Sequence, residues 1–415
     1  MIYSHASRYL TNRTPVPDDK PADILNRFAP LLHISRLGSD TSRNILIIGD
    51  SSGYSAAVLL QSILTRSSLS AGIFFNADDS IWADDVRKMI RLPDGFLSKE
   101  TFCSHVEQFR ALVEPEESAA GYTLPASIRR VLFAGFVFVR EGCSVCILDD
   151  SDTEATYPDH LFSSEFFLPA FSLLTGAAGT EARQSPAFLP RAIRKGTKEV
   201  VSNLFGQALF QHVSGLCAAA GCRLQLPAKN QYERLSVSCQ GIQFKYRGVG
   251  PYRVSTLSAA VLQNALAVLE LVGVLRRYSY TIPADAVTEC LCASPSPSGF
   301  SLLSLRPTAY AAHVRTLCDA DLLIKTLELL TAFQLVDASV VLCTNLPPDV
   351  FLRFHTAKLK VDIAPSPVYP DGTTLSKKKK LDAAFVRDLL SEPDRTFVFA
   401  GDFRFLDRIG QSFHH

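Results

Sequence analysis

The sequence predicts an α/β protein of two domains, a larger N-terminal one on a parallel sheet and a smaller C-terminal one. Three observations predict it. An apolar, β-branched run, Asn44-Ile45-Leu46-Ile47-Ile48, breaks at Gly49-Asp50-Ser51-Ser52-Gly53 and passes through Tyr54-Ser55 into a helix-forming segment. A second apolar run, Ala71-Gly72-Ile73-Phe74-Phe75, follows that helix. Strand, helix and strand make a βαβ unit, which implies a parallel sheet with its ligand end at the carboxyl termini of the strands. A Pro/Ser stretch, Ala293-Ser294-Pro295-Ser296-Pro297-Ser298-Gly299, then separates this region from a second alternation of strands and helices. The domains are expected at 1–296 and 297–415.

Taken in order, residues 1–43 read as a helical lead-in, with Ile24, Leu25, Phe28, Leu31 and Leu32 at helical spacing. The strand, small-residue loop and helix come next, in the layout of a phosphate-binding loop, where backbone N–H groups and a helix N-terminus meet an anion. The lysine of such a loop is absent: Gly53 and Tyr54 stand in its place. Asp84 to Ile90 reads as helical, and Ser98 is an N-cap for the helix that follows it. Ser127 to Arg140 is an apolar helix. Ser144 to Leu148 is a buried strand, expected to end in an acidic turn, Asp149-Asp150-Ser151-Asp152-Thr153-Glu154. Phe171 to Thr175 and Val200-Val201 are further strands, Leu204 to Ala220 a helix, 223–256 a β-rich patch, and Leu257 to Leu275 a helix. Beyond the linker come a strand at Thr308 to Ala311, a helix at Asp319 to Phe333 and a strand at Ala338 to Cys343. A helix at Leu381 to Leu390 and a strand at Thr396 to Ala400 complete the pattern. The tetralysine Lys377 to Lys380 reads as a solvated helix start or as an anion contact.

Composition narrows the functional classes. With 47% hydrophobic and 20% charged residues the chain is globular, and a net charge of +1 gives no electrostatic ground for a nucleic-acid or membrane partner. The N-terminus carries no secretory pattern, and the longest apolar run, Val131 to Val139, is too short to cross a bilayer. Ten cysteines in apolar settings suit a reducing cytoplasm. Cys143 and Cys146 form a single CxxC inside a strand-like run, which reads as two core thiols or as a zinc or redox pair.

At this point the residues resemble a known family, the folylpolyglutamate synthase/dihydrofolate synthase family within the Mur ligase group. Its loop Gly-Thr-Asn-Gly-Lys-Gly-Ser aligns with Gly49-Asp50-Ser51-Ser52-Gly53-Tyr54-Ser55. Phe74 to Asp79 aligns with its Phe-Thr-Ser-Pro-His-Leu, Glu154-Ala155-Thr156 with its Asp-Ala-Thr, and Gln263-Asn264-Ala265 with its Asn-Ala helix. Ala312-His313 aligns with the end of its Asp-Gly-Ala-His-Asn, and Ala400-Gly401-Asp402-Phe403 with its Gly-Ser-Leu-Tyr. The resemblance implies an N-terminal P-loop-type ATPase domain and a smaller, Rossmann-like C-terminal domain that binds glutamate. ATP with Mg²⁺ would phosphorylate a carboxylate of a folate or pteroate, and the glutamate amine would attack the acyl phosphate. By this carry-over Gly49, Asp50, Ser51, Ser52, Gly53, Ser55 and Asn264 bind nucleotide, Ser55 and Asp149 hold Mg²⁺, and His313 is the catalytic candidate. Bland readings stand beside each: Ser55 as a helix N-cap, Asp149 in a solvated turn, Asn264 with a local hydrogen bond, His313 as an ordinary polar side chain.

The departures cluster on ATP and metal handling. Besides the loop lysine, the family's Asp-His aligns with Gly179-Thr180, its carbamylated lysine with Arg191, its linker arginine with Gly299-Phe300, and its Asp-Gly Asp with Tyr310. The His-Gln before Asn-Ala becomes Ala260-Val261, and Asp159-His160 stands at the wrong place to restore the metal histidine. Arginine stays protonated and forms no carbamate. The expectation is a monomeric cytoplasmic protein, catalytically impaired and kept for binding or regulation through a protein partner. The alternative is a divergent but active ligase of folate or pteroate with glutamate.

Overall fold

The computed structural model describes residues 1–12, 21–34, 44–48, 53–76, 85–150, 169–175, 189–204, 206–238, 241–255, 257–293, 301–305, 308–314, 317–333, 340–344, 361–363 and 396–401. Its elements run α1 (Tyr3–Thr11), α2 (Pro21–Phe28), β1 (Asn44–Ile48), α3 (Gly53–Arg66), β2 (Ala71–Phe75), β3 (Ile90–Arg91), α4 (Lys99–Ala120), α5 (Ala126–Arg140), β4 (Val145–Asp150) and β5 (Phe171–Leu174). Next come α6 (Leu189–Ala192), β6 (Glu199–Ser202), α7 (Gln207–Ala220), β7 (Arg223–Gln225), β8 (Tyr232–Ser238), β9 (Gly241–Tyr246), β10 (Val249–Val254), α8 (Ala259–Arg277) and α9 (Ala284–Ala293). The chain continues through β11 (Ser301–Leu305), β12 (Thr308–His313), α10 (Leu317–Ala332), β13 (Val340–Thr344), β14 (Val361–Ile363) and β15 (Thr396–Gly401).

The fold is the predicted α/β class. A seven-stranded sheet has the order β3-β2-β4-β1-β5-β6-β7, parallel throughout except for the β2–β3 edge pair. From β1 the chain crosses to β2 on one side, and from neighbouring β4 it crosses to β5 on the other. The order therefore reverses at β1/β4, where open α/β sheets hold their ligands beyond the carboxyl ends. All five residues of β1 and of β2 are buried, as strands covered on both faces require.

Alternation along the strands sorts the two faces. Leu46, Ile48, Phe74, Cys146, Leu148, Leu174 and Val200 join one core with α1, α2, α4, α5 and α7. Ile47, Ile73, Asp149, Leu173 and Val201 point the other way. That second face carries α3, which packs on β1, β2 and β4. It also carries the end of α8, where Phe171 meets Tyr278 edge-on with ring centroids 5.1 Å apart.

The local chemistry explains the helical layer. Ser98 caps α4 by accepting from the Thr101 amide at 3.1 Å, as its position before the helix predicts. Gly121, at φ 75°, ends the same helix in the left-handed conformation that glycine adopts without steric cost. Gly72 has a packing reason instead: a Cβ there would come within 2.5 Å of the Phe138 ring on α5. The helix expected over Asp84 to Ile90 is a single 3-10 turn, Val86–Met89, that runs into β3. Asp85 stops it from extending backwards, because its carboxylate accepts from the Arg87 amide at 3.1 Å and from the Tyr3 hydroxyl at 2.6 Å.

The described elements form two compact units, one around the seven-stranded sheet and one holding the other two sheets. In the second unit β8, β9 and β10 make an antiparallel three-stranded sheet. The other sheet has the order β11-β12-β15-β13-β14, with a β11–β12 hairpin and parallel pairing elsewhere. Sequence reading missed β3, α6, α9, β11 and β14, of which all but α9 are five residues or fewer. The tetralysine and the helix expected at 381–390 lie outside the described residues.

Candidate functional site at the carboxyl edge of the large sheet

Residues 49–52 of the phosphate-type loop lie outside the described residues, but both flanks are placed. Ile48 ends the central strand β1, and Gly53, Tyr54 and Ser55 open α3. Tyr54 and Gly53 are thus backbone members of the helix N-terminus, where the first amides of a 14-residue helix lack intrahelical acceptors. No lysine or arginine occurs between Arg43 and Arg66. Anion binding here would rest on backbone amides and the helix dipole alone.

Asp149 is 3% exposed and pairs in register with Ile47 of β1 and Phe75 of β2. The expected acidic turn is corrected at this point: Asp149 and Asp150 are the last two residues of β4. Both are buried at the strand end, and each has polar partners there. Being consecutive in a strand, they face opposite ways. Asp149 shares the face of α3. Asp150 points toward the helical layer, where it accepts a hydrogen bond from Asn76 Nδ2 at 2.8 Å, and the Asn76 amide donates to the Asp149 carbonyl at 2.8 Å.

On the other side of β1 the same edge continues. The Thr175 amide donates to the Ile48 carbonyl at 2.9 Å, and the Asn203 amide to the Leu174 carbonyl at 2.8 Å. Leu174 pairs with Ser202, so Thr175 and Asn203 sit side by side one residue further on. Asn76, Thr175 and Asn203 are functional candidates that sequence reasoning did not single out. Each directly follows the last residue of a parallel strand, and for Asn76 and Thr175 the change from apolar to polar is legible in the sequence.

The other expected residues are placed separately. Asn264 is buried on α8. His313 ends β12 opposite Gly401, the last residue of β15, so it lies at the carboxyl edge of the second parallel sheet. Arg191 falls in the short helix α6. Residues 159–160, 179–180 and 299–300 lie outside the described residues. Tyr310, at the position of the family's aspartate, is fully buried inside β12.

Asp149, the buried carboxylate at the carboxyl edge on the α3 face, fits Mg²⁺, which usually takes one or two protein oxygens plus phosphate oxygens. Among the described residues no group of three or more His, Cys, Asp or Glu converges on a metal. Cys143 and Cys146 behave as core thiols: burial lifts Cys143 to about 11 and pushes Cys146 higher still. Asp85 is held by structure rather than aimed at a ligand. Burial raises its pKa, but hydrogen bonds from Arg87 and Tyr3 outweigh that and hold it at about 2.

No family model matches the sequence, and no curated protein matches it. Solved structures do. Folylpolyglutamate synthetase from Lactobacillus casei has a TM-score of 0.76 at 17% identity, with 100% of both chains covered. The chain has the folylpolyglutamate synthase fold. The bifunctional folylpolyglutamate synthase/dihydrofolate synthase from Yersinia pestis shares it at a TM-score of 0.71 and 14% identity, over 100% of this chain and 99% of that one. A folylpolyglutamate synthase in complex with AMPPCP and folate shares it at 0.75 and 16% identity across both full chains. In this fold the strand–loop–helix at 44–66 is the central strand and its first crossover. Among the described residues no helix is long and apolar enough to cross a membrane.

Proposed function

We propose that this protein is a folylpolyglutamate synthase/dihydrofolate synthase-type protein that keeps the binding framework of an ATP-dependent amide ligase but has impaired catalysis. The observation that carries the reading is the central β1–α3 crossover. It has the position of a nucleotide loop, with Asp149 on its face, and its helix opens with Gly53 and Tyr54 rather than lysine and glycine. The domains would divide as a nucleotide region at 1–296 and a glutamate region at 297–415. A regulatory protein partner fits this reading.

ATP with Mg²⁺, when bound, supplies the phosphoryl group and neutralises its charge. Ser55 and Asp149 would hold the cation, and the amides opening α3 would orient the phosphates. Asn264 would sit beside the nucleotide. Without the lysine no side chain of the loop neutralises the transferring phosphate, and one lost donor of this kind costs about 10²–10³ in rate. Tyr54 adds bulk where a glycine allows close approach. His313, at the end of β12, would act on the glutamate or acyl group. The second reading, a divergent but active ligase of folate or pteroate with glutamate, is favoured by the retained Asp149.

The test is ATP·Mg²⁺ binding to the wild type and to Gly53→Lys with Tyr54→Gly. The double substitution should tighten binding at least about tenfold, a gain expected from one charge-assisted contact. Robust ADP release by the wild type that depends on both folate and glutamate overturns the impaired reading in favour of the active one.

A further inference from the structure

The carboxyl edge holds a polar group that the nucleotide reading leaves unused. Asn203 is 3% exposed, and its Nδ2 has no hydrogen-bond partner among the described residues. A buried donor without an acceptor carries the full desolvation penalty, so such groups in native proteins point to a ligand, an ion or a trapped water. Its surroundings favour a ligand. Thr175, its neighbour across the β5–β6 register, is fully buried, and its hydroxyl makes only a long 3.5 Å contact to the Ile48 carbonyl. Both continue the odd-numbered series of their strands, Phe171–Leu173 and Glu199–Val201, so both lie on the α3 face that Asp149 shares.

The 14-residue helix α7 starts four residues after Asn203, at Gln207, with Gly206 at φ 101° as its N-cap. Its first residues are exposed and it packs on the helical-layer face, so the polarity of the subsite comes from Thr175 and Asn203 themselves. β6 lies two strands from β1, about 10 Å at the usual strand spacing, which is within reach of a ligand extending from the loop.

We infer that Thr175 and Asn203 form a hydrogen-bonding subsite for an oxyanion, a carboxylate or phosphate oxygen, at the carboxyl ends of β5 and β6. The side-chain amide of Asn203 donates, and the threonine hydroxyl turns to donate with it. The subsite is independent of nucleotide binding.

The test uses the full chain with ¹⁵N-labelled asparagine, the Asn203 side-chain amide being assigned by its loss in Asn203→Leu. Sodium acetate and sodium phosphate are titrated separately against sodium chloride at matched ionic strength. A saturable shift with acetate or with phosphate, but not with chloride, is the expected result, and it tells which oxyanion the subsite takes. Thr175→Val should weaken that response about tenfold, the worth of one hydrogen bond to a charged group. Asn203→Leu should keep or raise the thermal midpoint, since it removes an unpaired buried polar group. No saturable response to either anion overturns the proposal, as does a sharply lowered midpoint for Asn203→Leu, which would mean an internal water or hidden internal bond. ATP is titrated on the same sample. Silence toward ATP with a saturable acetate response removes the nucleotide reading and leaves the subsite standing.

Discussion

Two buried asparagines stand at the carboxyl edge of one sheet, and they differ in what they are for. Asn76 follows β2 on the side of the helical layer, and its amide is committed to Asp150. Asn203 follows β6 on the α3 side, and its side-chain Nδ2 has no partner among the described residues. Burial is the same to within a few percent, 4% against 3% exposed. At these two positions the side chain facing the helical layer is paired, and the one on the α3 face keeps a free donor among the described residues. A carboxylate held by a neutral amide fixes the β2–β4 end in place, whereas an unpaired donor costs stability and gains only when an acceptor arrives.

The strongest way to calibrate this contrast is a buried group of the helical layer whose partners are known. Arg129 on α5 donates to the Tyr9 carbonyl at 2.5 Å and the Leu124 carbonyl at 2.8 Å, lies 3.4 Å from Glu117, and stacks on the Tyr9 ring. Arg129→Met leaves Glu117 without its cation and unpins α1, so the unfolding free energy in urea should fall by about 3–5 kcal/mol. Next in size, Asn76→Leu removes the Nδ2 donor to the Asp150 carboxylate and should cost about 1–3 kcal/mol. Asn203→Leu should cost nothing in the same assay, and equal losses at the two positions would break the comparison.

The smallest effect concerns pH. Asp85 is held at about 2 when folded against an ordinary 3.8. A depressed carboxylate contributes stability that is present above its unfolded pKa and is lost as pH falls through the folded one. Urea midpoints of the wild type should therefore drop more steeply than those of Asp85→Asn between about pH 4 and pH 2. Parallel curves for the two proteins would show that the Tyr3–Asp85–Arg87 cluster adds nothing to the helical layer.

Much of the architecture was legible because parallel strands buried on both faces leave continuous apolar runs, as at Ile45–Ile48 and Val145–Leu148. β11 and β14 were not, since β11 (Ser-Leu-Leu-Ser-Leu) is broken by serines and adjoins the Pro/Ser stretch, and β14 (Val-Asp-Ile) has three residues around an acid. At the site, the absent lysine could be read directly, because the loop is one continuous stretch. Asn203 could not be weighed, because nothing near it in sequence says whether its amide will find a partner.

The sequence alone determined the strand–loop–helix, the lack of a cation within it, and the two alternations of helices and strands. Asp149 and Asp150 show what it left to tertiary structure. Adjacent, chemically alike, and read together as a turn, they are split by the strand between opposite faces of the sheet. One goes to the loop helix and the other to Asn76, a residue 74 positions away. That assignment exists only once β4 has inserted between β2 and β1, because register and face are set by neighbouring strands, and those contacts are not local to the chain.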